Sequence, residues 1–452
     1  MKTCKVLMPI GGMGAGINQE SFDYGMAKKP DVIAIDGGST DSGPAYLANG
    51  MTKYSKAMLK HDLKIAIIGA RKADIPLLIG SCSTCGTDST VDLCAEITTE
   101  IMKEEGLTGK VACVYSQQDP GLLKQKWDEG KIHPLEGAPE ISKDTFDQCN
   151  NIVGLMGAEP YIKALEDGAD IVLGGRTTDT AIISAMPIMM GCNVAATWHG
   201  AKTVECGSQC TSGAGGDGVF LTVDEEGFYV EPLQADVCCT PYTVSAHLMY
   251  ENVDPYRITE PSGTILAKDA VYKQVDDRTV YVTGTKFEHA KQYTMKLEGA
   301  RDTGYQSIAL VGIADRQVMA DPEAWIKNIS EYAEKLIRKN GFSPDDYSFQ
   351  FKAYGYNAVI AGPVAEGTPP PREIGMLLTV TADTQETATQ IAKLFNPLLL
   401  HFPADFTKQL PSFAFPFSPV DCPRGKTYEF MLYHVVDVDD PLELVKFEYF
   451  EI

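Results

Sequence analysis

The sequence predicts an α/β protein: a mainly parallel sheet with helices on both faces in the N-terminal part, then a C-terminal ferredoxin-like α+β domain. Two observations lead to this prediction. In the first half, short β-branched runs alternate with glycine-rich turns and amphipathic segments, as in parallel sheets that helices cover. In the last third, strand and helix patterns follow the order βαββαβ, which is the ferredoxin-like split motif.

Five apolar runs form the predicted parallel sheet, and each is followed by a loop of small and polar residues. Helical periodicity is clearest at 90–105, 158–167 and 180–190. Loops at the carboxyl ends of parallel strands gather at one edge of a sheet, where ligands bind. The five loops are therefore expected to face one site. The predicted strands are 5–10, 31–35, 76–79, 110–115 and 170–173.

Residues 251–300 show an alternating pattern, clearest in RTVYVTGTKF, which predicts an antiparallel β-rich insertion at the end of the first domain. We therefore predict an α/β domain over 1–300 and a ferredoxin-like domain over 301–452. The strands of the second domain are predicted at 305–313, 347–354, 374–381 and 427–436, and its helices at 322–339 and 384–399.

Length and charge exclude several classes of protein. A chain of 452 residues is too long for one ordinary core, and its net charge of -22 disfavours nucleic acid and anionic membranes as partners. No apolar run approaches the roughly 18 residues of a membrane span. The N-terminal apolar run stops at Gly11 and Gly12 and is too short for a signal peptide. A cytoplasmic location is predicted.

Twelve cysteines are expected to remain thiols in a reducing compartment. Cys82 and Cys85 form one CxxC, and Cys206 lies four residues before Cys210, but neither has a second pair at zinc or cluster spacing. We predict structural thiols near a glycine-rich turn, with a metal ion as the less favoured alternative. His199 and His247 have no partner at metal spacing either, so structural roles are predicted for both.

The stretch GGMGAG at 11–16 follows the first predicted strand, and Asp36 closes the second about twenty residues later. A dinucleotide-binding fold places its phosphate loop and ribose carboxylate at these points. Ile17 breaks the full G-x-G-x-x-G pattern. Two readings remain open: an NAD(P) or flavin site, and a tight strand-to-helix turn in which glycine lets the backbone pass.

The stretch GGRTTDT at 174–180 places a guanidinium just past a buried strand and before a helix. Arg176, Thr178 and the first backbone N–H groups of that helix could converge on one anion, with Asp179 beside them. The structural alternative makes Asp179 the N-cap of the helix and Arg176 its ion-pair partner.

Further polar side chains follow or precede the neighbouring strands. Ser39, Thr40 and Asp41 come after Asp36, where they could bind a ligand or simply form a turn. Arg71 and Ser81 flank the third strand. An arginine-and-hydroxyl crevice of this kind suits a carboxylate or a phosphate, so these five residues are predicted to bind substrate.

Long stretches of the chain resemble the acyclic terpene utilisation (AtuA-like) family. They are DGGSTDSGP, IVGLMGAEPYIKALEDGADIVLGGRTTDTAI, CTPYTVSAHLMYENVDPYRITEPSG, KLEGARDTGYQSIALVGI and VVDVDDPLEL. The resemblance implies an N-terminal α/β domain, a C-terminal ferredoxin-like domain and a catabolic role, without defining the reaction. The CSTC stretch departs from the family pattern, in which small residues dominate that turn.

The predicted function is a catabolic enzyme, a hydratase-type lyase or an isomerase, that acts on a small organic acid or its acyl-CoA thioester. The arginines would hold the carboxylate or phosphate while Asp36 or Asp179 moves the proton, because a carboxylate in a glycine-walled crevice can have a raised pKa. No resident cofactor is predicted. A non-catalytic ligand-binding or regulatory subunit of a catabolic complex and an NAD(P)-dependent oxidoreductase are the alternatives.

The predicted assembly is a homo-oligomer through 305–452, with a small partner subunit as an additional candidate. A ferredoxin-like domain has sheet edges and a sheet face that need covering, and FAFPF at 413–417 adds apolar surface.

Overall fold

The computed structural model describes residues 2–213, 216–250, 252–360, 362, 365 and 367–452. Contacts group the chain into two units. The first comprises Met1–Arg301 and Phe430–Ile452, and the second comprises Asp302–Glu429. The C-terminal segment thus groups with the first unit, whereas the predicted domain division at 300/301 stays a prediction.

The strands occupy the positions at which the sequence places β-branched and alternating runs. In chain order they are β1 Cys4–Met8, β2 Val32–Asp36, β3 Leu77–Gly80, β4 Lys110–Tyr115, β5 Ile132–Pro134, β6 Asn151–Gly154, β7 Ile171–Gly174, β8 Val219–Val223, β9 Gly227–Pro232, β10 Arg257–Glu260, β11 Gly263–Leu266, β12 Val271–Gln274, β13 Val280–Thr283, β14 Lys286–His289, β15 Tyr293–Ile313, β16 Tyr347–Tyr354, β17 Ile374–Ala382, β18 Cys422–Val438 and β19 Lys446–Glu451.

The helices follow the same order along the chain. They are α1 Gln19–Ala27, α2 Pro44–Asn49, α3 Lys56–Ala73, α4 Asp88–Glu105, α5 Pro120–Asp128, α6 Thr145–Gln148, α7 Glu159–Glu166, α8 Ala181–Met190, α9 Val194–Val204, α10 Pro241–His247, α11 Arg316–Ala320, α12 Pro322–Lys339 and α13 Gln385–His401. No helix in the described part of the chain is both long enough and apolar enough to cross a membrane.

The first unit is built on a ten-stranded mixed sheet of order β12-β13-β9-β8-β1-β2-β3-β7-β4-β19. Its five central strands, β1, β2, β3, β7 and β4, are parallel neighbours and correspond to the five predicted strands. Antiparallel strands extend the sheet on both sides. The predicted α/β class with a large, centrally parallel sheet is confirmed. The flanking strands β8, β9 and β19 were not predicted.

Helices cover both faces of this sheet because its central strands are apolar on both sides. Every residue of β2 is buried. Val32 and Ala34 join the core that includes α8, whereas Ile33 and Ile35 join the core that includes α3 and α4. The sheet is therefore an inner layer, and its carboxyl edge is where side chains can meet solvent.

Two smaller β-structures complete the first unit. The predicted β-rich region contains an antiparallel sheet of β10, β11 and β14, which ends β10 at Glu260. The first part of β15 pairs with β6 through residues 297–300 and thereby fixes Glu298. Neither β10, which carries Glu260, nor β15, which carries Glu298, belongs to the predicted βα repeats.

The second unit has the element order βαββαβ, made by the end of β15, α12, β16, β17, α13 and the start of β18. β17 pairs antiparallel with both β15 and β16. Trp325 of α12 and Phe395 of α13 pack in one core with Leu378 of β17. All the strands and helices predicted for this region are present.

Candidate functional site

Four of the five predicted loops line one cavity of about 270 Å³ at the carboxyl edge of the central strands. Asp36 and Asp179 therefore line the same cavity, as expected of loops at the carboxyl ends of parallel strands. Residues from beyond the five loops complete the lining. The cavity is lined by Gly11, Gly12, Asp36, Gly38, Ser39, Asp41, Ser42, Lys53, Tyr54, Thr84, Asp179, Glu205, Cys206, Gln209 and Tyr250.

Glycine lets the loops of this edge approach each other backbone to backbone. A Cβ atom on Gly11 would lie 2.5 Å from the carbonyl carbon of Cys206. A Cβ atom on Gly86, whose φ is +61°, would lie 2.2 Å from the backbone nitrogen of Arg176. Only glycine avoids both clashes, and at Gly86 it also accepts the left-handed backbone without strain.

The GGMGAG loop binds a side chain of the protein itself. The N–H groups of Gly14 and Gly16 donate to Oδ2 of Asp62 at 2.7 and 3.1 Å, and the N–H of Ile17 donates to Oδ1 at 2.8 Å. Asp62 is fully buried on α3. These are the kind of donors that a dinucleotide pyrophosphate needs, and a carboxylate already accepts them. The NAD(P) alternative therefore loses its main support, and the tight-turn reading fits.

Arg176 lies at the centre of a buried network beside the cavity, with only 5% of its surface exposed. Its Nε donates to Oε2 of Glu298 at 3.0 Å, and its Nη1 donates to Oγ of Ser81 at 3.0 Å and to the Thr177 carbonyl at 3.2 Å. Nη1 also lies 3.5 Å from Oδ1 of Asp179. Most of the guanidinium fork is thus bound by protein groups, which does not suit the predicted role of Arg176 as an open anion clamp.

Glu298 is the main counter-charge of Arg176. Its carboxylate also accepts from Thr40 Oγ1 at 2.9 Å and from Lys296 Nζ at 3.1 Å. Burial alone would raise the pKa of Glu298, but the positive charges of Arg176 and Lys296 outweigh that effect and lower the pKa to about 2. Glu298 is therefore a permanently charged anchor, and Thr40 supports it rather than the cavity.

Asp179 is not the N-cap that the structural alternative proposed. The N-cap of α8 is Thr180, whose side chain makes no capping hydrogen bond. The other half of that alternative, the ion pair of Asp179 with Arg176, is present. Asp179 thus lines the cavity and is paired with the positive charge of Arg176.

Asp36 is the most deeply buried carboxyl that reaches the cavity from a strand end. It closes β2 and is 6% exposed, and its Oδ1 has no hydrogen-bond partner among the described residues. Burial raises the pKa of Asp36 well above its ordinary value, and the negative charge of Asp179 raises it further. Arg176 and the N–H of Gly38 oppose this rise without cancelling it. The surroundings of Asp36 therefore favour its protonated form more than those of an ordinary aspartate do.

Two more buried carboxyls lie close to Asp179, and of these Glu205 lines the cavity. Glu205 follows α9 and forms an ion pair with Lys202, and Glu260 ends β10. Burial raises the pKa of Glu205 to about 8 although Lys202 opposes it, and burial raises the pKa of Glu260 to about 7 against hydrogen bonds from Thr180 and Thr178. Both carboxyls therefore favour the protonated form more than an ordinary glutamate does.

The remaining predicted substrate-binding residues differ in position. Arg71 does not belong to the site: its Nη1 lies 2.6 Å from Oδ1 of Asp170 and its Nε donates to the Thr108 carbonyl, just before the strands β7 and β4 begin. That is the amino edge of the sheet, whereas the cavity lies at the carboxyl edge, so Arg71 does not line it.

Ser39 and Asp41 lie at the rim of the cavity, where Oγ of Ser39 donates to Oδ2 of Asp41 at 2.6 Å. Ser81 is fully buried and bonds to Arg176, so it supports the network instead of lining the cavity. The hydroxyl of Thr178 lies 3.2 Å from that of Thr180, close to Glu260. These residues surround the cavity, but only Ser39 and Asp41 line it.

The cysteines and histidines for which structural roles are predicted differ in their hydrogen-bond partners. Cys82 and Cys85 are fully buried thiols. His199 is buried and its ring nitrogens contact Thr285 and Tyr272, as expected of a structural histidine. His247, in contrast, has an Nε2 with no partner in the described parts of the chain.

Several residues in or beside the cavity carry no motif that assigns them to it. Cys206 and His247 are predicted from the sequence to be structural, and Lys53, Lys202, Glu205, Glu260 and Glu298 receive no prediction. They come from loops, helix ends and antiparallel strands far apart in the chain, so no local pattern joins them.

Comparison with known proteins gives one match. The family model described as acyclic terpene utilisation family protein AtuA matches residues 45–420. The matched range contains Arg176, Asp179, Glu205 and Glu298, and begins after Asp36. The searches of curated proteins and of solved structures found no match.

Proposed function

The chain belongs to the acyclic terpene utilisation family AtuA, whose name indicates a role in acyclic terpene catabolism, and from this premise we propose that it is a catabolic enzyme. The proposed active site is the cavity at the carboxyl edge of the first unit. The proposed reaction is a proton transfer on a small organic acid or its acyl-CoA thioester, which adds or removes water or shifts a double bond.

The observation that carries this proposal is the environment of Asp36. A buried carboxyl with a raised pKa and with a side-chain oxygen that has no partner among the described residues is suited to give and take a proton. Asp179 lines the same cavity and forms an ion pair with Arg176. Two carboxyls held in different environments can divide the roles of acid and base between them.

The positions of the side chains lead us to propose substrate-binding residues that differ from those predicted from the sequence. Arg176 is bound by Glu298 and Ser81, so we assign it the positioning of Asp179 and Glu298. Lys53 is an exposed basic residue in the lining of the cavity. We assign to Lys53 the first contact with a substrate carboxylate, and to Ser39 and Asp41 hydrogen bonds at the rim.

The test is exchange of a substrate C–H with deuterium from D₂O, followed by NMR over a panel of unsaturated and hydroxy acids and their CoA thioesters. Asp36→Asn removes the proton carrier and should slow exchange by about 100-fold or more. Asp128→Asn, an exposed carboxylate in the same unit, is the control and should keep the wild-type rate. Exchange at the wild-type rate in Asp36→Asn would overturn the assignment, and binding without exchange by the wild type would favour a ligand-binding subunit.

The stability of Asp36→Asn shows whether the variant still folds, and its expected direction follows from the raised pKa of Asp36. Because the pKa of Asp36 is raised in the folded protein, ionisation opposes folding at pH values above its ordinary pKa. The neutral Asn should therefore be no less stable than the wild type at pH 7. A lower melting temperature would show that Asp36 has a structural role instead.

We also propose that the second unit has the ferredoxin-like topology. Its element order βαββαβ and its strand order β16-β17-β15-β18, with the first and third strands in the centre, support this. The homo-oligomer through 305–452, the small partner subunit and the cytoplasmic location stay predictions. Light scattering that gives a well-behaved monomer would contradict the oligomer.

A further inference from the structure

Two helix ends and one turn bring a carboxylate, a thiol and an imidazole together beside the cavity. Glu205 and Cys206 directly follow α9, and His247 is the last residue of α10. One ligand atom from each of the three side chains lies within 4.8 Å of the other two. Glu205 and Cys206 also line the cavity.

Local sequence explains this arrangement. A capping box of Thr240 and Thr243 and a proline at the first helical position begin α10, so that its seven residues end at His247. Gly11 and Gly207 allow the backbone of the first loop to lie against the turn after Cys206. The three side chains are therefore positioned by elements that the fold fixes independently of one another.

A buried nitrogen indicates that a ligand belongs here. His247 is 5% exposed, yet its Nε2 has no hydrogen-bond partner within the described ranges. Leaving such an atom unsatisfied costs about 1–3 kcal/mol. His199, the other deeply buried histidine of this region, has partners for both ring nitrogens. The contrast shows that the fold can satisfy a buried imidazole, and at His247 it does not.

Charge favours a cation as that ligand. Asp36, Asp179 and Glu205 all line the cavity, and Oε2 of Glu260 and Oδ1 of Asp36 are buried without a partner in the described chain. The carboxyl end of α9 adds partial negative charge at Glu205. Lys202 bonds to Oε1 of Glu205, which leaves Oε2 to coordinate and fixes the orientation of the carboxylate.

We propose that Glu205, Cys206 and His247 form a three-ligand site for a borderline divalent cation, with Zn²⁺ the best fit. Oxygen, sulfur and nitrogen donors together suit zinc, and three protein ligands with an open fourth position are typical of catalytic zinc sites. In a tetrahedral site with bonds of about 2.0–2.3 Å, ligand atoms lie about 3.2–3.8 Å apart. Small side-chain movements from the observed spacing would reach that geometry.

The site would add to this acidic cavity a second positive charge for an anionic substrate, besides that of Lys53. A cation bound there would hold the carboxylate or thioester oxygen through its open position. This catalytic use rests on the proposed function, but metal binding itself does not. The metal measurement uses no substrate, so it and the deuterium-exchange test can fail separately.

The first experiment measures Zn²⁺ binding by calorimetry and elemental analysis on the chelator-treated, reduced full chain. We expect about one Zn²⁺ per chain for the wild type. Cys206→Ser and His247→Gln should each weaken binding by about 100-fold or more, since each removes a ligand. The matched controls, Cys210→Ser in the same turn and His199→Gln, should bind as the wild type does. No binding by the wild type, or unchanged binding in both ligand variants, would overturn the proposal.

A second experiment needs only the wild type, in case a variant does not fold. Co²⁺ in place of Zn²⁺ should give the near-ultraviolet charge-transfer band of a thiolate ligand. Zn²⁺ should also protect Cys206 from alkylation, read by mass spectrometry, while the half-buried Cys238 and Cys422 react as before. A Co²⁺ complex without the thiolate band, or equal alkylation of Cys206 with and without Zn²⁺, would refute the assigned ligands.

Discussion

Replacing Glu298 with Gln should destabilise the first unit strongly at neutral pH and much less in acid. The folded protein lowers the pKa of Glu298 from 4.5 to about 2 because Arg176 and Lys296 outweigh the effect of burial. A difference of about 2.5 pKa units corresponds to on the order of 3 kcal/mol of stability at pH 7. Removal of the charge also leaves Arg176 buried with a weaker partner, and such changes cost about 3–5 kcal/mol.

The sign of the pH dependence follows from the lowered pKa. The contribution of Glu298 is complete above the ordinary pKa of 4.5 and is lost as the pH falls through the folded-state pKa of about 2. The free-energy gap between the wild type and Glu298→Gln should therefore shrink by about 2 kcal/mol between pH 7 and pH 3.

The assay is hydrogen exchange with mass spectrometry, because peptides from β2 and β7 report the first unit and separate it from the second. Glu129→Gln, an exposed glutamate in the same unit, serves as the control and should change neither value. If Glu298→Gln unfolds with the wild-type free energy at pH 7, or if the gap is the same at pH 3, Glu298 is not the charged anchor of Arg176.

Three further predictions test other parts of the site. Asp62→Asn replaces one accepting oxygen with an NH₂ group beside the N–H groups of GGMGAG. Hydrogen exchange at 11–18 should therefore rise, and the free energy of unfolding of the first unit should fall by about 2–3 kcal/mol. Binding of NADH by the wild type would instead support a dinucleotide site. Arg176→Lys keeps the charge but loses the bonds of Nη1, so thermal unfolding should show a loss of about 1–2 kcal/mol, and an unchanged melting temperature would mean that the fork is dispensable. Lys53→Met should raise KM for an anionic substrate about tenfold with little change in kcat, since a contact made equally in substrate and transition state affects binding alone; a fall in kcat of the same size would place Lys53 in the chemistry.

The part of the fold that local patterns determine could be predicted from the sequence. Runs such as Val32–Asp36 are apolar on both faces because they lie between two layers of helices, and the glycine that follows marks the loop at the carboxyl end. Asp36 and Asp179 were therefore assigned to one edge from sequence alone. β8 and β9 were not assigned, because an antiparallel extension of the sheet repeats no βα pattern.

Arg71 is predicted to bind substrate because it flanks the third strand, but it precedes that strand instead of following it. It lies near the end of α3, six residues before β3 begins, so the chain has not yet crossed the sheet and the side chain pairs with Asp170 at the amino edge. The sequence contained this information in the order of helix and strand. Glu298 and Glu260 are different: each is an acidic residue within a β-strand and belongs to no local motif. The long-range pairing of β15 with β6 fixes Glu298 beside Arg176, and Glu260 lies close to Thr178 and Thr180.

The network around Arg176 explains why an acidic cavity can hold carboxyls of opposite behaviour. Glu298 takes the direct hydrogen bond from Nε of Arg176 and stays charged, whereas at Asp36 burial and the charge of Asp179 raise the pKa more than Arg176 lowers it. Asp36 consequently keeps its raised pKa although Arg176 is near. If the guanidinium had no carboxylate partner, its positive charge would lower the pKa of Asp36 further, and Asp36 would be less able to carry a proton. The pairing of Nε and Nη1 of Arg176 within the protein is therefore consistent with the proposed proton transfer at Asp36. The charge of an anionic substrate would then be met by Lys53 or by a cation at the proposed site of Glu205, Cys206 and His247.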